Sequence, residues 1–146
     1  MKDRLPSVAM FHVRKMQNMD YNTARQYLRN NNFYLLGEGC EAYVYTRSGF
    51  EYVIKVLHDP HPGNPIVEEK EIPSLKHFIP AYGFEAVDYH IVVQKKIKPS
   101  PYNWTSKKYN RFSAMLSKKF PRVSDTLDFN CGLENGTLKC FDWCES

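Results

Sequence analysis

Three clusters of residues in this 146-residue chain have types and spacings that suit chemistry. The first is Gly37-Glu38-Gly39-Cys40-Glu41-Ala42-Tyr43-Val44. Glycines in a turn between two extended runs let the backbone approach phosphate oxygens, because no side chain intervenes. A plain tight hairpin uses the same residues. The second cluster is Val53-Ile54-Lys55-Val56. A lysine inside an apolar run either faces solvent on an alternating strand or is buried against a carboxylate or phosphate, since an unpaired buried ammonium is costly. The third is Asp125, with Asn130 five positions later and Asp142 twelve beyond that, in Phe141-Asp142-Trp143. Carboxylate and amide oxygens suit a hard cation such as Mg²⁺, although each of these residues alone is a common loop residue.

These side chains need elements to position them. Tyr21, Ala24, Tyr27 and Leu28 repeat at helical spacing between Asp20 and Asn31, with Asp20 as N-cap and Asn30-Asn31-Asn32 as the stop. Strands are expected over Phe33–Leu36, Ala42–Thr46 and Phe50–Leu57, the last two joined by the turn Thr46-Arg47-Ser48-Gly49. Pro60, Pro62 and Pro65 mark a loop, followed by a short helix over Ile66–Ile72 that Pro73 closes. Further strands are expected over Tyr82–Val87 and His90–Lys95, turning at Asp88-Tyr89. Lys98-Pro99-Ser100-Pro101 reads as a linker, and Ser106–Lys119 as a helix with Tyr109, Phe112, Met115 and Leu116 on one face. From Asp125 to Ser146 a loop and then a hairpin are expected, turning at Asn135-Gly136. Asp142 follows the strand-like run Leu138–Phe141 and so belongs at a strand end. The expected class is α+β, with five antiparallel strands and one helix inserted after the third. The apolar content of 42% suits one globular domain, and 14% aromatic residues exclude a disordered chain.

A glycine loop, a strand lysine, Asp-x-x-x-x-Asn and Phe-Asp-Trp in this order resemble the protein-kinase-like family, from Phe33 to the end of the chain. The likeness is nearest in character to the short kinase-like proteins that some bacteriophages encode. It implies a minimal kinase-like fold in a single domain, with ATP and Mg²⁺ as cofactors. Residues 1–97 would be an N-lobe-like part with an N-terminal helix. Residues 98–146 would be a reduced C-lobe-like part of helix, catalytic-type loop and hairpin. On this resemblance Gly37 and Gly39 belong to the phosphate loop, Val44 lies over the base, Val53 is a further nucleotide-binding position, and Lys55 contacts the α/β-phosphates. Val93 and Gln94–Lys96, with Gln94 and Lys96 as contacts, form the hinge at the adenine. Asp125 is the catalytic base, while Asn130 and Asp142 hold the metal. The carboxylate that orients Lys55 is one of Glu68, Glu69 and Glu71. Glu68 is preferred because Ile72 and Leu75 follow on its helix face, whereas Pro73 interrupts the same pattern from Glu71.

The chain departs from the family at Ala42 for the third glycine, at Val123-Ser124 for the His-Arg pair and at Trp143-Cys144 for Phe-Gly. Four residues after Asp142 the sequence stops, without an activation segment or substrate-binding helices. The implied function is an ATP/Mg-binding kinase-like phosphotransferase acting on a protein Ser/Thr acceptor. The alternative is a weak or inactive pseudokinase-type binding protein, for example a phage factor that binds and inhibits a host protein.

No apolar run approaches the ~20 residues of a membrane span, and the N-terminus lacks the apolar stretch of a signal peptide. A cytoplasmic protein is expected, in the host cytoplasm if phage-encoded. Cys40, Cys131, Cys140 and Cys144 are read as reduced thiols. Their spacing lacks the paired knuckles of structural zinc sites, and Cys140 is expected as a small core residue. Tyr102–Arg122 mixes basic and aromatic residues, a pattern that also occurs in single-strand binders. The helical spacing of its aromatics reads instead as a core face backed by a solvated basic face. Expected partners are therefore a nucleotide and a protein partner or substrate, not nucleic acid or membrane.

Overall fold

The computed structural model describes residues 5–38, 42–57, 76–124, 131–141 and 144–145. It opens on two helices. α1 (Ser7–Gln17) was not among the expected elements: Pro6 occupies its N-cap without a side-chain cap and its first turn holds no acid. Tertiary burial of Ala9, Val13 and Met16, spaced at i, i+4 and i+7, stabilises it instead. α2 (Tyr21–Asn30) begins as the sequence predicts, with the Asp20 carboxylate accepting from Thr23 N–H at 2.8 Å. Its end is a Schellman arrangement: Phe33 N–H donates to Leu28 C=O, Asn32 N–H donates to Arg29 C=O, and Asn32 takes φ +67°. Asn tolerates that left-handed backbone better than other non-glycine residues.

The strands are β1 (Tyr34–Glu38), β2 (Ala42–Thr46), β3 (Tyr52–Leu57), β4 (Ala81–Glu85) and β5 (His90–Lys95). They form one antiparallel sheet in the order β1-β2-β3-β5-β4. β3 starts later than the apolar run because Phe50 closes the preceding turn, donating to Arg47 C=O beside Gly49 at φ +79°. β4 ends at Glu85 because the chain turns through Ala86–Tyr89, where Ala86 N–H meets Tyr89 C=O. Tyr89 is more than a turn residue: it is buried, and its hydroxyl donates to Met16 C=O at 2.7 Å. The expected helix over Ile66–Ile72 lies outside the described residues.

The alternation of each strand sorts its side chains into two faces. Tyr45, Ile54, Val93 and Tyr82 form one cross-strand row, and Tyr43, Val56, Ile91 and Phe84 the next. These rows pack against α1 and α2 in the main core, with Leu28, Phe33 and Phe50.

After β5 come β6 (Lys98–Pro99), α3 (Lys107–Lys119), β7 (Val123–Ser124), β8 (Cys131–Glu134), β9 (Thr137–Cys140) and β10 (Cys144–Glu145). The expected linker at Lys98-Pro99 is instead a short strand on β8, pairing with Leu133 and Gly132. The β8–β9 hairpin turns at Asn135 (φ +51°) and Gly136 (φ +80°), the positive pair that a type I′ turn requires. α3 is capped by Ser106 and buries Tyr109 and Leu116 in a second core with Phe78, Cys131, Leu138 and Cys140. Among the described residues no helix is long and apolar enough to cross a membrane.

Candidate functional site

The other sheet face carries Gly37, Val44, Val53, Lys55 and Gln94, most of the described residues among those singled out from the sequence. Gly37, Val44, Lys55, Val92 and Gly83 form one row across all five strands. Val53, Gln94 and Ala81 form the next. Lys55 is only 7% exposed, with valines opposite it on both neighbouring strands. The solvent-facing alternative for this lysine is therefore excluded. Leu57, Ala81 and Val92 make a small apolar cluster on the same face. A methyl group added at Gly37 would meet no atom within 4 Å, so this glycine is not demanded by packing among the described residues.

Gln94 is the polar interruption of a buried strand, and it acts as a tie. Its amide nitrogen donates to Ile79 C=O at 3.0 Å and to Phe141 C=O at 2.8 Å. The side chain is thus committed within the fold, and its main chain sits in ladders with both β3 and β4. The expected hinge continues through the residues after it. There Lys96 is half-buried; its N–H donates to Glu51 C=O and its ammonium lies 3.3 Å from Thr46 Oγ1.

The residue after Phe141 is Asp142. Asp142, Asp125, Asn130, Gly39 and the candidates Glu68, Glu69 and Glu71 lie outside the described residues. The strands that flank the third cluster are described, and they pair with each other. Ser124, which precedes Asp125, pairs with Cys144, two residues after Asp142. Cys131, which follows Asn130, pairs with Cys140, two residues before Asp142. The end of β9 is pinned in turn: Cys140 N–H donates to His77 C=O, and Ile79 N–H to Cys140 C=O.

An ion pair crosses from the hairpin to the sheet. Glu134 on β8 accepts from Lys139 at 2.8 Å and from Lys95 of β5 at 3.0 Å. Lys139 donating to Glu134 is the main cause that holds its carboxyl below the usual range, against the opposing effect of partial burial. The two buried thiols Cys131 and Cys140 are hydrogen-bonded at 3.3 Å without a disulfide, as reduced core residues. The hydrogen bond with Cys131 and then burial push the Cys140 thiol far up, which keeps it protonated. Two surface depressions, one between Pro6 and the 47–52 segment and one along α1, involve none of the candidate residues.

Sequence reasoning took Gln94 as a base contact and missed its role as a tie. The available signal was a lone amide after Ile91-Val92-Val93, which must find partners once buried. Compared with known proteins, the chain matches no family model and no curated protein sequence.

Proposed function

We propose that this chain is a kinase-like protein that binds Mg-ATP on the Lys55 face of its sheet and passes the γ-phosphate to a protein Ser or Thr hydroxyl. The observation that carries the reading is a convergence. A buried strand lysine shares a row with Gly37 and Val44, and the neighbouring row holds Gln94, whose amide ties down Phe141, the residue before Asp142. Phosphate is a fitting reason for a lysine between two valines, since a charge-assisted contact offsets the cost of its burial. Gly37 leaves its backbone open to approach. Asn130 and Asp142 supply the oxygen donors suited to Mg²⁺, and Glu68 is the carboxylate assigned to Lys55. When bound, Mg²⁺ neutralises charge on the phosphate oxygens. Asp125 accepts the proton of the acceptor hydroxyl.

The test begins with thermal melting of the purified protein with and without Mg-ATP. Ligand at about 100 times its Kd adds ~2.7 kcal/mol to stability. Lys55→Met should abolish that gain. Asp125→Asn should keep it and lose phosphoryl transfer, whereas Asp142→Asn should lose both Mg²⁺ dependence and transfer. If wild type and Lys55→Met respond alike, Lys55 is not a phosphate ligand. If the wild type gains nothing, the pseudokinase-type binding protein takes the place of this reading, as the Trp143-Cys144 departure favours.

A further inference from the structure

The segment from Tyr102 to Ser124 contains six basic and no acidic side chains. Tyr109 and Leu116 mark the buried side of α3. At about 100° per residue, Lys107, Arg111 and Lys118 fall on the opposite side, with Lys108 and Lys119 beside them, all five within about 120° of arc. All five are exposed, and none has a carboxylate partner among the described residues. Lys107 and Lys118 are about 16 Å apart along the axis.

Helix stability does not account for this charge. Lys118 and Lys119 complement the negative C-terminal end of the helix, but Lys107 and Lys108 sit in the first turn, where free N–H groups repel a cation. Lys107 and Arg111 are in addition a like-charge pair at i, i+4, which weakens a helix. Beside the first turn stands Trp104, 73% exposed, the most exposed of the large apolar side chains described. Its backbone carbonyl accepts from the Asn110 side chain at 2.9 Å, which ties the main chain of this segment to α3. Lys108 lies over the neighbouring Tyr102 ring at 5.0 Å. Tyr109 and Phe112 turn inward at helical spacing; Trp104 precedes the helix and does not share their face.

We infer that this face binds single-stranded nucleic acid, with phosphates along the Lys107–Arg111–Lys118 line and a base stacked on Trp104. A line of cations with an exposed aromatic just before it matches a charged backbone carrying flat bases. An acidic peptide would use the cations and leave the indole face unmatched. The inference is independent of the nucleotide site.

The experiment is fluorescence anisotropy with a labelled oligo-uridine about fifteen nucleotides long, at several salt concentrations. Five phosphate contacts on a single strand predict a log–log salt slope of about −3.5, so affinity falls about a hundredfold between about 50 and 200 mM salt. The variant Lys107→Gln, Arg111→Gln, Lys118→Gln should bind more weakly with a slope shallower by about 2. It should melt close to the wild type, since losing the Lys107–Arg111 repulsion offsets losing Lys118 at the helix C-terminus. Trp104→Ala should bind more weakly with the slope unchanged, because stacking releases no counterions. Equal binding by the triple variant overturns the proposal, as does equal binding by Trp104→Ala. A poly-glutamate peptide that binds better than the oligonucleotide also overturns it and makes the face one for acidic proteins.

Discussion

A methyl group added at Gly132 lands 2.5 Å from the Lys98 carbonyl oxygen and 2.7 Å from Ile97 Cδ1, whereas at Gly37 it meets nothing within 4 Å. The first glycine is required by the close approach of β6 to β8. Backbone cannot yield as a flexible side chain does, so Gly132→Ala should cost about 1–3 kcal/mol in urea unfolding. Gly37→Ala should leave unfolding unchanged and reduce the Mg-ATP gain in melting, because the methyl group enters space assigned to phosphate. An equal loss of stability from both substitutions would make Gly37 a structural residue. Lys55 belongs at the same scale: its neighbours in the sequence left burial and exposure open, and in the fold it is buried.

Between elements, α1 and α2 meet through His12 on the first and Tyr27 on the second, whose ring nitrogen Nδ1 and hydroxyl are 2.8 Å apart. His12 is buried, with Phe33 edge-on at 5.1 Å. Burial, and secondarily the Arg47 charge, holds its pKa below the ordinary 6.5. The sign follows from proton uptake: below that ordinary value the unfolded chain binds a proton that the fold resists, so stability rises with pH there. Stability should be full above pH 6.5, the ordinary histidine value, and fall as the solution is acidified towards the lower folded value. His77 shifts in the same direction, chiefly by burial, and adds to the slope. Urea unfolding at successive pH values measures it, and His12→Gln should flatten the acid side in part. An unchanged slope in that variant would assign the effect to other groups.

At the scale of the molecule, the two larger cores among the described residues are joined at a seam. The main core lies between the sheet and α1–α2; the second gathers α3, Phe78 and the β8–β9 hairpin. The seam runs through Ile79 and Cys140, the Lys95–Glu134 pair and the Gln94 amide. Gln94→Leu keeps the bulk and strands two carbonyls, which should cost about 1–3 kcal/mol for each one left dry. It should also lower Mg-ATP affinity beyond the loss of stability, because Phe141 would no longer be held beneath the Lys55 face. Calorimetry with and without nucleotide separates the two effects. A variant that is destabilised but binds Mg-ATP with wild-type affinity would confine Gln94 to a structural role.

The parts of this fold that were legible along the chain are those governed by residues a few positions apart. The Asp20 cap, the Asn31-Asn32 stop, the Asn135-Gly136 turn and the alternating strands β2 and β5 all act through local hydrogen bonds, backbone torsion or side-chain period. α1 was not legible, because its helix is stabilised by what lies against it rather than by caps. Strand order, the choice of face and the pairing of Ser124 with Cys144 are also non-local, since each is set by contacts between segments far apart in sequence. The third cluster shows the division best. The spacing of Asp125, Asn130 and Asp142 suggested oxygen donors for a metal. That the strands flanking them pair, and that Phe141 is tied to the lysine face through one buried glutamine, depended on burial, which leaves a polar group no partner but another part of the protein.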